Sequence, residues 1–169
     1  MKTIWMSALV LGSIALSGAA PANQSTVQDT AASRFEAMTG LVGVWRRADK
    51  PDSPLRIRFS LTAGGTVLVE EWLRGDQPHS LTLYHRDGSD LLATHYCPQG
   101  NQPRLVASTA HAADALVFKF RDATDLDAQH ESHLVELEFE LSAPDQMKRS
   151  ETYRQSGADE ASELRLVRE

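Results

Sequence analysis

Alternation of apolar and polar residues at every second position is the feature that most restricts the fold of this chain. Residues 133–141 (HLVELEFEL) and 55–61 (LRIRFSL) place most of their apolar side chains on one face and their charged side chains on the other. A period of two is typical of β-strands with one buried face and does not fit a helix. Turn-forming residues recur about every eight to twelve positions between such segments, a spacing typical of all-β sandwiches and barrels.

About ten strands are predicted, and one short helix precedes them. The helix is predicted over residues 31–42 (AASRFEAMTGLV), with Thr30 as a possible N-cap and with Phe35, Met38 and Val42 at helical spacing. The predicted strands are residues 44–46, 55–61, 66–73, 80–86, 91–97, 104–109, 115–121, 133–141, 146–155 and 163–168. No helical segment separates the strands, so parallel crossovers are not expected. We therefore predict an all-β fold, a single antiparallel barrel, because closure removes exposed sheet edges.

The first 22 residues have the parts of an export signal. Lys2 supplies a positive charge, residues 6–16 (MSALVLGSIAL) form a short apolar segment, and small residues follow at a suitable cleavage position. The apolar segment is shorter than the roughly 20 residues that span a bilayer, so no stable membrane anchor is expected. We predict a bacterial protein that is periplasmic or secreted. The predicted organisation is a signal peptide at 1–22, a flexible leader at 23–30 and a barrel domain at 31–169.

Charge and cysteine content exclude some classes of function. The chain has a net charge of −6, which becomes −7 without Lys2, and it contains no basic cluster. Nucleic acid is therefore not an expected partner. Cys97 is the single cysteine, so an internal disulfide is impossible and stability must come from packing. We expect its thiol to act as a small buried hydrophobic group rather than a reactive one.

Two charged residues are predicted to point into the barrel. If residues 142–146 form a five-residue loop, Leu141 faces Met147, and this fixes which residues of the two strands lie opposite each other. The inward pairs are then Phe139 with Arg149, Leu137 with Glu151, Val135 with Tyr153, and His133 with Gln155. A four-residue loop is the alternative; it would turn Arg149 and Glu151 outward but place Lys148 opposite Phe139. Because buried charge is costly unless it is paired, we expect Arg149 and Glu151 to bind each other, water or a ligand.

A second hairpin leaves two orientations open. A turn at residues 87–90 pairs Arg86 with Leu91, and either strand face could then line the lumen. Only one of His85 and His95 can point inward, and the pattern does not choose between them. The strand then ends in residues 95–104 (HYCPQGNQPR), a polar turn whose side chains could bond the loop itself or a ligand at the barrel mouth.

No catalytic constellation is found in the sequence. His130 and His133 lack the helical HExxH pattern of zinc sites, and two histidines three apart on a strand would face opposite ways. Glu70 and Glu71 are adjacent on a strand and face opposite sides, so they do not form a catalytic carboxylate pair. His95 lies near Cys97 without an evident third group to orient it. We therefore predict no catalytic residue, no metal site and no cofactor.

One segment resembles a known superfamily. Gly43-Val44-Trp45, after a short helix and at the start of the first strand, resembles the G-x-W motif of calycins, the superfamily of lipocalins and fatty-acid-binding proteins. The resemblance implies a barrel with an internal cavity, closed by an arginine of the last strand over Trp45. That arginine would be Arg168, with Arg165 as the alternative. Residues 81–104 also resemble a block in exported bacterial proteins with a calycin-like domain. The chain lacks the disulfides of secreted lipocalins.

These observations favour a binding module for a small, largely apolar molecule held in the barrel lumen. The predicted ligand-binding residues are Tyr84, His95, Asn101, Arg104, His133, Arg149 and Glu151. Two alternatives remain open. The first is an envelope protein that interacts with other proteins, or has a structural role, through a filled barrel. The second is an enzyme with a convergent site such as His95, Tyr84 and Arg104.

Overall fold

A computed structural model describes residues 30–108 and 115–169. The predicted signal peptide and nearly all of the predicted leader lie outside these residues, as does Thr109 at the end of one predicted strand. The helix is α1 (Ala31–Thr39), and the strands are β1 (Gly43–Arg47), β2 (Leu55–Thr62), β3 (Val67–Arg74), β4 (Gln77–Asp87), β5 (Asp90–Tyr96), β6 (Gln102–Ala107), β7 (Ala115–Thr124), β8 (His133–Ala143), β9 (Gln146–Gln155) and β10 (Ala158–Arg168). Among the described residues, no helix is both long and apolar enough to cross a membrane.

The ten strands form a closed antiparallel barrel in which each strand pairs with its neighbours in sequence and β10 pairs with β1. The predicted all-β fold is therefore confirmed. Closure leaves every strand paired on both sides, so the sheet has no free edge. The alternating sequence pattern corresponds to an inner face buried in the barrel and an outer face of charged residues, as with buried Leu137 and Phe139 beside Glu136 and Glu138.

Helix α1 begins as predicted but ends earlier. The Thr30 side chain accepts a hydrogen bond from the backbone N–H of Ser33, which confirms it as the N-cap. The helix ends at Thr39 rather than at Val42, because Gly40 caps it and the chain then turns into β1. Its inner face is buried against the barrel by Phe35 and Met38.

The hairpin of β8 and β9 confirms that Arg149 points inward. Phe139 faces Arg149 and Leu137 faces Glu151, as predicted, whereas Tyr153 faces Leu134 and His133 faces Arg154. The last two predicted pairs are wrong because a bulge between Leu134 and Glu136 shifts the register. The predicted five-residue loop is also wrong: the strands continue to Ala143 and from Gln146, and an irregularity in β8 restores the inward register.

The hairpin of β4 and β5 resolves the choice between two histidines. Arg86 pairs with Leu91 as predicted. The lumen face carries Tyr84 and His95, both almost fully buried, whereas His85 is on the outer face and partly exposed.

Aromatic side chains fill the part of the barrel nearest α1. Phe118 and Phe139 have ring centroids 6.5 Å apart, and Tyr84 lies 5.5 Å from Phe118. Phe59 adds a further edge-on contact with Phe139 at 6.3 Å. All four rings are at most 1 % exposed. These side chains therefore fill the lumen in this region.

Candidate functional site

A cavity of about 410 Å³ opens at the end of the barrel where β9 finishes and β10 begins. Its deeper wall consists of side chains that are largely buried, namely Trp72, His95, Cys97, Glu151 and Tyr153. Exposed residues form the rim, among them Arg74, His79, Glu160 and Ser162. Helix α1 packs near the opposite end, where β8 finishes and β9 begins. The cavity is of the size and the mixed polar and apolar character typical of small-molecule sites.

Beneath the cavity lies a buried cluster centred on the Glu70 carboxylate, which is fully buried. The indole N–H of Trp72 donates to Glu70 Oε1 at 2.6 Å, and the Tyr84 hydroxyl donates to Oε2. Arg149 Nε lies 2.9 Å from Oε1. A carboxylate that only accepts hydrogen bonds and lies beside a guanidinium has the partners of the ionised form. Burial and the adjacent Glu70 carboxylate raise the pKa of Tyr84 well above its ordinary value, so its hydroxyl keeps its proton.

Arg149 connects this buried cluster to the cavity wall. Its Nη1 donates to Glu151 Oε2 at 2.6 Å, which is the first of the three expected arrangements, each other, water or a ligand. The guanidinium carbon lies 4.7 Å from the centre of the Trp72 ring, a cation–π contact. Burial lowers the pKa of Arg149, but the Glu70 and Glu151 carboxylates outweigh it and raise the pKa above its ordinary value. Nε and Nη2 are buried and find no well-aligned hydrogen-bond acceptor in the described part of the chain, so the ion pair with Glu70 is not a directional hydrogen bond.

His95 is held between two hydroxyl groups in the cavity wall. Its Nδ1 lies 2.9 Å from the Thr82 hydroxyl and its Nε2 lies 3.2 Å from the Tyr153 hydroxyl. Burial, followed by the positive charge of Arg149, lowers the pKa of His95 to about 4. The imidazole is therefore neutral at pH 7, and one ring nitrogen donates while the other accepts.

Two further cavity residues are kept protonated by their surroundings. Burial is the main cause that raises the pKa of the Cys97 thiol, with the carboxylates of Glu131 and Glu151 adding to it. Burial and Glu151 also raise the pKa of the Tyr153 hydroxyl. A thiol with a raised pKa is a poor nucleophile, so the site offers hydrogen-bonding groups rather than an activated cysteine.

The structure brings together four of the seven predicted ligand-binding residues. His95 and Glu151 line the cavity, and Arg149 and Tyr84 lie in the buried cluster beneath it.

The other three lie elsewhere. Arg104 is exposed on the outside of the barrel, paired with Asp122 at 2.5 Å. Asn101 is fully buried and donates to the carbonyl of Ser132 at 3.1 Å, so it ties one loop to another rather than facing the cavity. His133 is 5 % exposed and packs against Phe120, with ring centroids 5.3 Å apart.

Sequence reasoning missed Glu70 and Trp72 as parts of this site. The expectation that Glu70 and Glu71 face opposite sides agrees with their burial, since Glu70 is buried inside and Glu71 pairs with Arg58 outside at 2.8 Å. A signal for Glu70 was present, because the β2–β3 hairpin places it opposite Phe59, a residue of the predicted inner face.

The first and last strands meet at Trp45 and Arg168. These residues are paired across β1 and β10, and the guanidinium carbon lies 4.4 Å from the indole centre. Arg168 also donates to the carbonyls of Gly40 and Pro144, at 2.7 and 2.8 Å from its Nη2. The indole N–H of Trp45 donates to the Leu41 carbonyl at 2.8 Å. Arg168 thus joins the helix end, the first strand and the β8–β9 turn.

No protein-family model matches the chain, and no curated protein is significantly similar to it. Within residues 30–108 and 115–169, no group of three or more His, Cys, Asp or Glu side chains is arranged to hold a metal ion.

Proposed function

We propose that this protein binds a small amphipathic molecule in the open end of the barrel. The observation that carries the proposal is the cavity of about 410 Å³, whose wall combines the aromatic ring of Trp72 with buried polar groups. Small-molecule sites typically combine apolar walls with a few polar groups that orient the ligand, and this wall has that composition.

The wall indicates which parts of a ligand go where. The Trp72 ring and the Tyr153 ring offer apolar surface to a hydrophobic body, and Glu151 and the Tyr153 hydroxyl offer hydrogen bonds to a polar group. Both ring nitrogens of His95 are already bonded to hydroxyl groups, so His95 fixes the position of Tyr153. We expect a short ligand, because the aromatic rings that fill the lumen beneath the cavity leave no room for a long acyl chain.

The calycin resemblance and the export signal extend this proposal. A closed ten-stranded antiparallel barrel with a short leading helix is consistent with a calycin-like fold, and the contact of Arg168 with Trp45 supports the likeness. We propose that the protein is a calycin-like binding protein of the bacterial periplasm or exterior. The localisation rests on the N-terminal sequence pattern.

A ligand screen with matched variants tests this function. Native mass spectrometry of the purified chain, and thermal shifts with small aromatic amines, acids, alcohols and fatty acids, should reveal a bound molecule. Trp72→Ala should weaken its binding at least tenfold, since a central aromatic contact is lost. Tyr96→Ala is the control, because Tyr96 is 44 % exposed and absent from the cavity wall. Failure of every compound to bind, or equal losses in both variants, would refute the proposal.

A further inference from the structure

We infer that the polar group this cavity selects is a cation, an amine held by the carboxylate of Glu151. This inference rests on the proposed binding function and names the class of ligand. The buried arginine beneath the cavity suggests an anionic ligand, but the charge of the whole site favours a cation.

The charge of Arg149 is already matched inside the protein. Its guanidinium is 1 % exposed and lies between two carboxylates, with Nε 2.9 Å from Glu70 and Nη1 2.6 Å from Glu151. One cation between two carboxylates leaves one negative charge in excess. An anionic ligand would therefore add a third negative group to the site, which like-charge repulsion opposes.

Glu151 is the carboxylate of this pair that is accessible from the cavity. Glu70 is fully buried, whereas the Glu151 side chain is 18 % exposed and lines the cavity. Arg149 binds Oε2 of Glu151. Among residues 30–108 and 115–169, the contact to Oε1 is a long one of 3.4 Å from the Ser162 hydroxyl. An ionised carboxylate accepts hydrogen bonds at both oxygens, so Oε1 is free to accept a stronger one from a ligand N–H.

The surrounding groups also suit a cation. Trp72 and Tyr153 line the same cavity, and the faces of aromatic rings attract positive charge. At the rim, Glu160 and Arg74 are both exposed and offset each other in charge. Exposed charges are strongly screened by solvent, so the partly buried Glu151 dominates selection.

Three probes with the same phenethyl skeleton test the inference by isothermal titration calorimetry: phenethylamine, hydrocinnamate and phenethyl alcohol. The amine should bind about tenfold more tightly than the alcohol, the ratio expected for a charge-assisted hydrogen bond, and the acid should bind most weakly. Glu151→Gln should bring the amine to the affinity of the alcohol, whereas Glu138→Gln on the outer face of β8 should leave the ratio nearly unchanged.

The outcomes separate this inference from the proposed function. Equal binding of the three probes, or preference for the acid, would overturn the choice of a cation while leaving a functional ligand site. Binding of none of them would overturn the inference as well, and the function would fall only if the wider ligand screen also failed. If Glu151→Gln does not fold, the comparison of the three probes on the unaltered chain still decides the question.

Discussion

Buried charge is the most unusual feature of this protein at the scale of single residues. Glu70 and Arg149 are both removed from solvent, and each is held in place by several other groups of the cluster. Taking charges out of water costs several kcal/mol, which a pair offsets only while both members are present. Removal of one partner should therefore lower the free energy of unfolding more than removal of both.

Replacement of Arg149 tests this dependence. Arg149→Met should lower the free energy of unfolding by about 3–5 kcal/mol, because it leaves Glu70 as an uncompensated buried charge. The double variant Glu70→Gln with Arg149→Met should be more stable than Arg149→Met alone. Urea unfolding followed by circular dichroism measures all three proteins. A single variant as stable as the original chain would contradict the account of the cluster.

The lowered pKa of His95 predicts how stability depends on pH. In the unfolded chain a histidine takes up its proton near pH 6.5, whereas burial and Arg149 hold the pKa of the folded residue at about 4. The unfolded state therefore binds more protons between these values, and the folded state loses stability as the pH falls. The loss should be on the order of 3 kcal/mol and complete below about pH 4.

His95→Gln is the matched control, since glutamine can still bond Thr82 and Tyr153 but does not titrate. The difference in unfolding free energy between this variant and the original chain should change across the pH 4–6.5 window as the original chain loses stability. A difference that is independent of pH would show that His95 is not a buried neutral group.

At the scale of elements, the closure of the barrel depends on a glycine. Gly43 has a φ of +139°, and a Cβ added there would lie 2.7 Å from Nη1 of Arg168. A side chain at this position would strain the backbone and displace the guanidinium that joins helix α1, β1 and the β8–β9 turn.

Gly43→Ala should therefore destabilise the protein more than an alanine at an open turn. Gly64 is the control, with a φ of +66° and no atom within 4 Å of an added Cβ. Gly64→Ala should cost about 1 kcal/mol for the left-handed backbone alone, and Gly43→Ala at least about 1 kcal/mol more. Thermal unfolding of both variants gives the comparison; similar midpoints would contradict the role given to Arg168.

Element prediction succeeded where one face of a strand is apolar. The strands of the β2–β3 hairpin and the start of β8 follow the alternation closely. It failed for the first half of β10, which begins at Ala158 rather than Glu163. There Glu160 and Ser162 face the open cavity, so no apolar alternation marks the strand.

The site could be predicted only in part, because only strands with one apolar face reveal which side chains point inward. Hairpin register identified Arg149 and Glu151, because they lie opposite Phe139 and Leu137 on the apolar face of the partner strand. It did not distinguish a loop-fixing residue such as Asn101 from a ligand contact, since a polar turn residue can do either. Bulges, as between Leu134 and Glu136, changed which side chains meet, and their positions are not visible in the alternation.

At the scale of the whole molecule, the two ends of the barrel differ in structure. Near α1 the lumen is filled by aromatic rings, and a cavity of about 340 Å³ lies beside Trp45. The other end holds the cavity lined by Trp72. This division means that a ligand should affect one end and leave the other unchanged. Trp72 and Trp45 report on the two ends separately, because each carries an indole N–H in a distinct hydrogen bond.

The most direct test is a nitrogen–proton correlation spectrum recorded during titration with phenethylamine, with phenethyl alcohol as its neutral analogue. The two indole signals are assigned with Trp72→Phe and Trp45→Phe. The account predicts a saturable shift of the Trp72 indole signal, larger affinity for the amine, and an unchanged Trp45 signal. A shift confined to Trp45, or no shift at Trp72 with either probe, would contradict the claim that the open end of this barrel is a ligand site.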